Sequence, residues 1–312
     1  MKRAPTVSVV LPALNGAPHL AEAIGSILAQ TFDDLELIVA DDGSDDGSRE
    51  IAEGFAERDA RVRTIALTRD PATLSGARAD NAATRLARGA FIARMDQDDV
   101  AAPERLAVQL ALMEAQGLDV CGSQAVYFGD RDDPIWFPEG HDAILSELVF
   151  RPAMVHAAQT TRADARRAAP LDETTVAEDY EWQTRMAGRL GFGNARETLV
   201  RYRRHPAQGS QVRRTAMLRD WSRFRFRYFF ERFPEARLQD FRAVNLVAAR
   251  GAIGSADALA RAGAWLARLA EPPDPRLKAR MARRWASACE QASVAPDAVA
   301  AIRASCEAAI GP

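Results

Sequence analysis

Val7-Ser8-Val9-Val10-Leu11 is a continuous, β-branched run closed by Pro12, and it reads as a strand buried on both faces, as in a parallel sheet. Working outward, residues 17 to 30 repeat Leu20, Ile24, Ile27 and Leu28 at helical spacing. Leu35-Glu36-Leu37-Ile38-Val39-Ala40 is a second buried strand, ending in Asp41-Asp42-Gly43-Ser44. The alternation continues with a helix over 45–57, a strand over 61–67 and a helix over 77–88. Phe91-Ile92-Ala93-Arg94-Met95 is then a strand that runs into Asp96-Gln97-Asp98-Asp99. Such a βαβ series predicts an α/β fold with a doubly wound, mostly parallel sheet.

Pro103-Glu104 is expected to open another helix, with proline in the first turn where its missing N–H costs nothing. Residues 119–128 return as a strand. Residues 129–175, broken by Pro134, Pro138, Pro152 and Pro170, read as short strands, loops and one helix near 143–150. Residues 178–187 are helical, and 198–202 form a last strand before His205-Pro206. From residue 213 the composition shifts to Ala, Arg and Leu with helical periodicity, broken at Pro234 and at Pro272-Pro273-Asp274-Pro275. Two regions are expected: 1–212, carrying the sheet, and 213–312, helical.

The 312 residues are 47% hydrophobic and 27% charged, which excludes disorder and allows a large core. A formal net charge of -2 argues against a general grip on nucleic acid. Cys121, Cys289 and Cys306 are widely spaced, so neither a disulfide framework nor a cysteine zinc cluster is expected. No apolar run approaches the roughly 20 residues of a bilayer span, and Met1-Lys2-Arg3 precedes a strand-like run rather than a signal-peptide core. A cytoplasmic protein is expected. Charge is uneven along the chain, acidic over 33–59 and arginine-rich over 201–232. Within the latter, Trp221 to Phe230 interleaves arginine with aromatic residues. A packed helix is the first reading, contact with an anionic membrane surface the second and nucleic acid a distant third.

In open α/β sheets ligands bind beyond the carboxyl ends of the strands, and here those ends carry Asp41-Asp42 and Asp96-Gln97-Asp98. Carboxylates on such corners suit a hard divalent cation that completes its shell with substrate phosphates. A D-x-D alone is more often a solvated turn; the preceding strand and the second acidic strand end raise it. The ordered set comprises Val7 to Asn15, Ser26 to Phe32, Asp41 to Ser48, Asn81 ahead of Ala87-Arg88-Gly89, Met95 to Asp99 and Pro103 to Leu106. Glu178-Asp179-Tyr180 and Tyr202-Arg203-Arg204-His205-Pro206 complete it. Together, over about residues 5–210, these segments resemble the family 2 glycosyltransferases of GT-A fold.

The resemblance implies an inverting transfer of sugar from a nucleotide-sugar to a hydroxyl acceptor. It places Mg²⁺ or Mn²⁺ near Asp98, with His205 touching metal or phosphate, and puts Asp96 at the nucleotide ribose or in support of the metal. Asp42 would accept from the N3–H of a pyrimidine, with the backbone of Pro12 and Ala13 beside it, which implies a UDP- or dTDP-sugar. Asn15, Asn81 and Arg203 join the nucleotide-sugar site, and Asp179 is the general base. Apart from the resemblance, Glu178-Asp179 would read as an acid pair at a helix N-terminus and His205 as a surface histidine. Leu14 stands where the family often has an aromatic residue. Gln211-Val212-Arg213-Arg214 is followed by Thr215 where processive synthases carry tryptophan, so transfer of a single sugar is expected. The acceptor would be a glycan or lipid-linked molecule in bacterial surface-glycan synthesis. Two alternatives stand beside this reading: an aspartyl phosphohydrolase using Asp96 and Asp98, and a non-catalytic nucleotide-sugar-binding protein.

Overall fold

The computed structural model describes residues 3–70, 72–73, 75–206 and 208–310; Met1 and Lys2, read above with the N-terminus, lie outside them. The alternation is realised as β1 (Val7–Ala13), α1 (Ala17–Leu28), β2 (Leu35–Asp41), α2 (Ser48–Arg58), β3 (Val62–Ala66), α3 (Ala77–Leu86) and β4 (Phe91–Arg94). There follow β5 (Val100–Ala101), α4 (Arg105–Gln116), β6 (Val120–Gly129), β7 (Pro134–Ile135), α5 (His141–Glu147), a 3-10 turn at His156–Ala158, β8 (Thr160–Arg162), α6 (Ala163–Ala168) and α7 (Glu178–Met186). The chain continues through β9 (Phe192–Arg204), α8 (Gly209–Val212), α9 (Arg214–Arg232), α10 (Leu238–Ala249), α11 (Ala256–Leu269), α12 (Pro275–Glu290) and α13 (Pro296–Ile310).

One sheet runs β3-β2-β1-β4-β8-β6-β9-β5, with β7 paired to β6. The first four strands are parallel, as predicted. β8 lies antiparallel between β4 and β6, β6 and β9 are parallel, and β5 and β7 are antiparallel edges. All seven residues of β1 are buried, and its period-2 alternation supplies both faces. Val7, Val9 and Leu11 pack with Leu20, Ile24 and Ile27 of α1 and with Leu106 of α4. Val10, with Ile38 and Ile92, packs on Ala79 and Ala83 of α3. Pro12 is tolerated in a central strand because pairing to β4 stops at Val10, so the absent N–H is not missed on that side.

Several details differ from the sequence reading. Pro103 lies ahead of α4, whose N-cap is Glu104. The 129–175 stretch contains a second helix, α6, and the last strand begins at Phe192 rather than 198. Two compact units exist, but they do not divide at residue 212. The first comprises 1–136, 154–182 and 189–220; the second gathers 137–153, 183–188 and 221–312. The Ala87-Arg88-Gly89 stretch serves the fold. Arg88 Nη2 pairs with buried Glu36 at 2.6 Å, Gly89 N–H donates to Ser8 Oγ at 2.9 Å, and a Cβ at Gly89 would stand 2.6 Å from Ser8 N.

Within the second unit Phe224, Tyr228 and Phe229 are buried, so the interleaved segment is a packed helix. Its arginines are not all on outer faces. Arg225 is buried and donates to Phe150 O at 2.8 Å and Asn245 Oδ1 at 2.6 Å.

Candidate active site

Beyond the carboxyl ends of β1 and β2 two loops are laced together. Asp42 N–H donates to Ala13 O at 2.8 Å, Asn15 N–H to Ser44 Oγ at 3.0 Å, and Asp45 N–H to Asn15 Oδ1 at 3.1 Å. Asn15 accepts a left-handed backbone, φ 50°, to make these contacts. Gly43, φ 81°, admits the close approach of Arg69, whose N would lie 2.7 Å from a Cβ. Pro12, Ala13, Asn15 and Asp42 thus share one corner. Asp42 is 3% exposed, and Arg78 Nε donates to its Oδ1 at 3.2 Å while Arg69 Nη1 lies 3.7 Å from Oδ2. Burial pushes its pKa up, opposed by the two guanidiniums.

The end of β4 adds the second acidic corner. Arg94 Nη2 holds Asp96 Oδ1 at 2.6 Å. Gln97 binds both polar groups of Leu14, accepting its N–H at 2.7 Å and donating to its carbonyl at 3.0 Å. Asp98 Oδ2 stands 2.9 Å from His205 Nε2, and the His19 ring lies 5.2 Å from that of His205. Arg203 locks the end of β9 to the same corner. Its N–H donates to Asp99 Oδ1 and its Nε to Asp98 O, both at 2.8 Å, and its guanidinium also pairs with Glu22. Asp99 is buried beside Asp96 and Asp98, which drives its pKa well up, and its Oδ2 has no hydrogen-bond partner.

Glu178 and Asp179 open α7 and are half-buried. Asp179 Oδ1 accepts the N–H of Tyr180 at 2.7 Å. Desolvation, with Asp96 nearby, pushes Asp179 to about 6. Desolvation together with Asp179 itself pushes Glu178 to about 8. Behind them lies a buried ionic cluster that sequence reading missed. Asp80 pairs with Arg94 Nε at 2.9 Å and with Arg166, and His156 is held neutral, its pKa lowered to about 4 by burial and by Arg94. The available signal was Arg94 itself, a lone charge inside the apolar strand Phe91–Met95, which demands a buried partner. Asn81 is not brought to these carboxylates. Its Nδ2 donates to Leu171 O at 3.0 Å and Glu173 Oε1 at 2.9 Å, and its Oδ1 accepts Leu171 N–H at 3.0 Å, so its polar atoms serve the segment before α7.

A divalent cation can be tested against this donor set. Two adjacent ligands, each about 2.1 Å from an octahedral ion, lie roughly 3 Å apart, and Asp98 Oδ2 and His205 Nε2 are 2.9 Å apart. The pair fits. Among the described residues no three His, Cys, Asp or Glu side chains converge as a metal cage.

Residues 8–167, just over half the chain, match the model of glycosyl transferase family 2. The chain belongs to glycosyltransferase family 2. It is 34% identical over 158 residues, half of this chain and 44% of the other, to the uncharacterized glycosyltransferase EpsJ of Bacillus subtilis (strain 168). It is 30% identical over 230 residues, 68% of this chain and 69% of the other, to an uncharacterized glycosyltransferase of Haemophilus influenzae. The match therefore spans less than half the length of EpsJ. Among solved structures it is similar to S. aureus TarS 1-349 in complex with UDP-GlcNAc, with TM-score 0.57 and 14% identity over 96% of this chain and 91% of that one. It is also similar to a Pyrobaculum calidifontis mannosyltransferase in complex with GDP-Man and Mn²⁺, with TM-score 0.52 and 17% identity over 100% and 77%. These likenesses are of fold, and the fold is the GT-A type that the resemblance implied. Family membership sets the phosphohydrolase alternative aside. Among the described residues no helix is long and apolar enough to cross a membrane.

Proposed function

We propose that this family 2 protein transfers a single sugar, with inversion, from a UDP- or dTDP-sugar to a hydroxyl of a glycan or lipid-linked acceptor. The setting is bacterial surface-glycan synthesis at the cytoplasmic face of the membrane. The observation that carries the reading is the 2.9 Å meeting of Asp98 and His205, 107 residues apart in sequence, at the acidic corner whose Asp96 acts electrostatically on Asp179 at the start of α7.

Asp98 and His205 would hold Mg²⁺ or Mn²⁺. Such an ion, when bound, supplies Lewis-acid neutralisation of the departing diphosphate. Arg203, tied to Asp98 and Asp99, fixes the end of β9 against that corner. Asp42 accepts from the base N3–H between the loops that end β1 and β2, and Asp96, held by Arg94, lies at the ribose. Inversion by single displacement needs an acid–base group on the acceptor side only. Asp179 fills that role, taking the hydroxyl proton as the oxygen attacks the anomeric carbon. Glu178, pushed to about 8, keeps its own proton at neutral pH, which leaves Asp179 as the ionised member.

Calorimetry with UDP-, dTDP- and GDP-sugars, with and without Mn²⁺, tests the reading. Binding of a pyrimidine donor should need Mn²⁺ and should be lost in Asp98→Ala with the melting temperature unchanged, because Asp98 is a corner acid outside the core. Equally tight Mn²⁺-dependent binding by Asp98→Ala removes the metal assignment, and preference for the GDP-sugar removes the pyrimidine assignment.

A further inference from the structure

Asp179 is the second residue of α7, so the path of residues 171–177 decides where its carboxylate lies. Two side chains from distant elements hold that path. Asn81 of α3 binds Leu171 and Glu173 at its front. Asp220 of α9 binds its rear: Oδ2 accepts the Thr175 hydroxyl at 2.5 Å and the Val176 N–H at 3.3 Å. Thr175 is fully buried and Asp220 is 8% exposed. Because the Thr175 proton is committed to Asp220, its oxygen lone pairs are aimed, and one accepts the Ala177 N–H at 3.1 Å. Ala177 in turn begins the helix, its carbonyl accepting the Glu181 N–H at 2.9 Å. The chain of contacts therefore runs from Asp220 through Thr175 to the amide that precedes the Glu178-Asp179 pair.

We infer that Asp220 is a positioning residue for the general base, acting through the Thr175 hydroxyl to fix the entry of α7. Asp220 lies beyond residues 8–167, the stretch matched to the family, and outside every segment that carried the resemblance. The inference rests on the reading of Asp179 as base. A carboxylate whose only duty was to pin α9 would affect melting and leave turnover alone. A positioning group changes kcat at constant donor affinity, since a displacement of about 1 Å in a reacting group can cost 10²-fold in rate.

The test follows UDP release from UDP-glucose and UDP-N-acetylglucosamine with Mn²⁺, water serving as acceptor, for Asp220→Ala, Asp220→Asn, Thr175→Val and Thr175→Ser beside Asp179→Asn. Asp220→Ala and Thr175→Val should each lower kcat by about 10-fold or more, on the scale of a misplaced reacting group, with donor KM within about twofold of the parent. Asp220→Asn and Thr175→Ser keep the acceptor and the hydroxyl and should restore most of the rate. Amide exchange at Ala177 should quicken only in the first pair. Parental kcat in folded Asp220→Ala and in Thr175→Val overturns the inference, as does a loss that appears in donor KM instead. Should Asp220→Ala fail to fold, the nearly isosteric Thr175→Val decides alone. Parental turnover by Asp179→Asn would sink the base assignment and this inference with it, whereas an inactive Asp179→Asn beside a parental Asp220→Ala sinks the inference only.

Discussion

Side by side at the mouth of one helix, Glu178 and Asp179 do not hold a proton equally. Desolvation raises both, and the neighbouring Asp179 charge adds to the rise at Glu178, leaving values of about 8 and about 6. A base must be deprotonated to accept the acceptor proton, so kcat should climb as pH rises through about 6 and level above it, which a pH–rate profile reads directly. Asp179→Asn should keep donor binding and lose about 10²-fold or more in turnover, the scale of a positioned base. Because asparagine also caps helices well, a merely structural Asp179 would show near-parental turnover, and that result removes it from the mechanism. At the other corner, Asp42 already spends one oxygen on Arg78. Asp42→Ala should weaken free UDP as well as the donor, by about 10- to 100-fold, the worth of a hydrogen bond to a charged group. Unchanged affinity for UDP would sink the base contact.

At the scale of elements, the second unit is organised around one carboxylate. Glu147 ends α5 fully buried, and Arg151, Arg280 and Arg284 reach it, the first two at 2.6 and 2.5 Å and the last at 3.2 Å. Arg284 also lies over the Phe150 ring at 3.8 Å. The three guanidiniums outweigh the desolvation of Glu147 and hold its pKa at about 2. Because the folded value lies below the ordinary one, the stabilisation is present above the unfolded pKa and is lost as pH falls toward about 2. Glu147→Gln leaves buried arginines uncompensated and should cost about 3–5 kcal/mol in urea unfolding; a loss under about 1 kcal/mol would show that the cluster is solvated. Little of this was legible in sequence, where Glu147 is one acid in an irregular stretch; Arg151 lies four residues on, but Arg280 and Arg284 lie more than 130 residues away. What was legible was a local pattern, a mainly apolar run or a helical spacing. β1 and β2 are mainly apolar runs buried at every position, and α1 repeats apolar residues at helical spacing, whereas α6 has six residues and the front of β9, Phe192-Gly193-Asn194-Ala195, alternates nothing.

Over the whole molecule, the site is assembled from chain ends of the sheet that are far apart in sequence. The carboxylates were visible because motifs name them, and Asp98 with His205 was visible as a pair only through the resemblance. Asp80 and Arg166 were not, since pairing of Asp80 across 14 residues to Arg94 and 86 to Arg166 follows no helical or strand period, and Arg94 gave only the signal of a lone charge in an apolar strand. Gln97 shows how tightly such distant parts are joined. The middle residue of the D-x-D reads as a spacer, yet its amide closes a two-point clasp on Leu14, and a Cβ at Gly16 would stand 2.4 Å from its Oε1. Residues 14, 16 and 97 therefore form one indivisible module. A graft that imports another family member's loop after the first strand must import the residue between the two aspartates as well, or the transplanted loop arrives without its fastening.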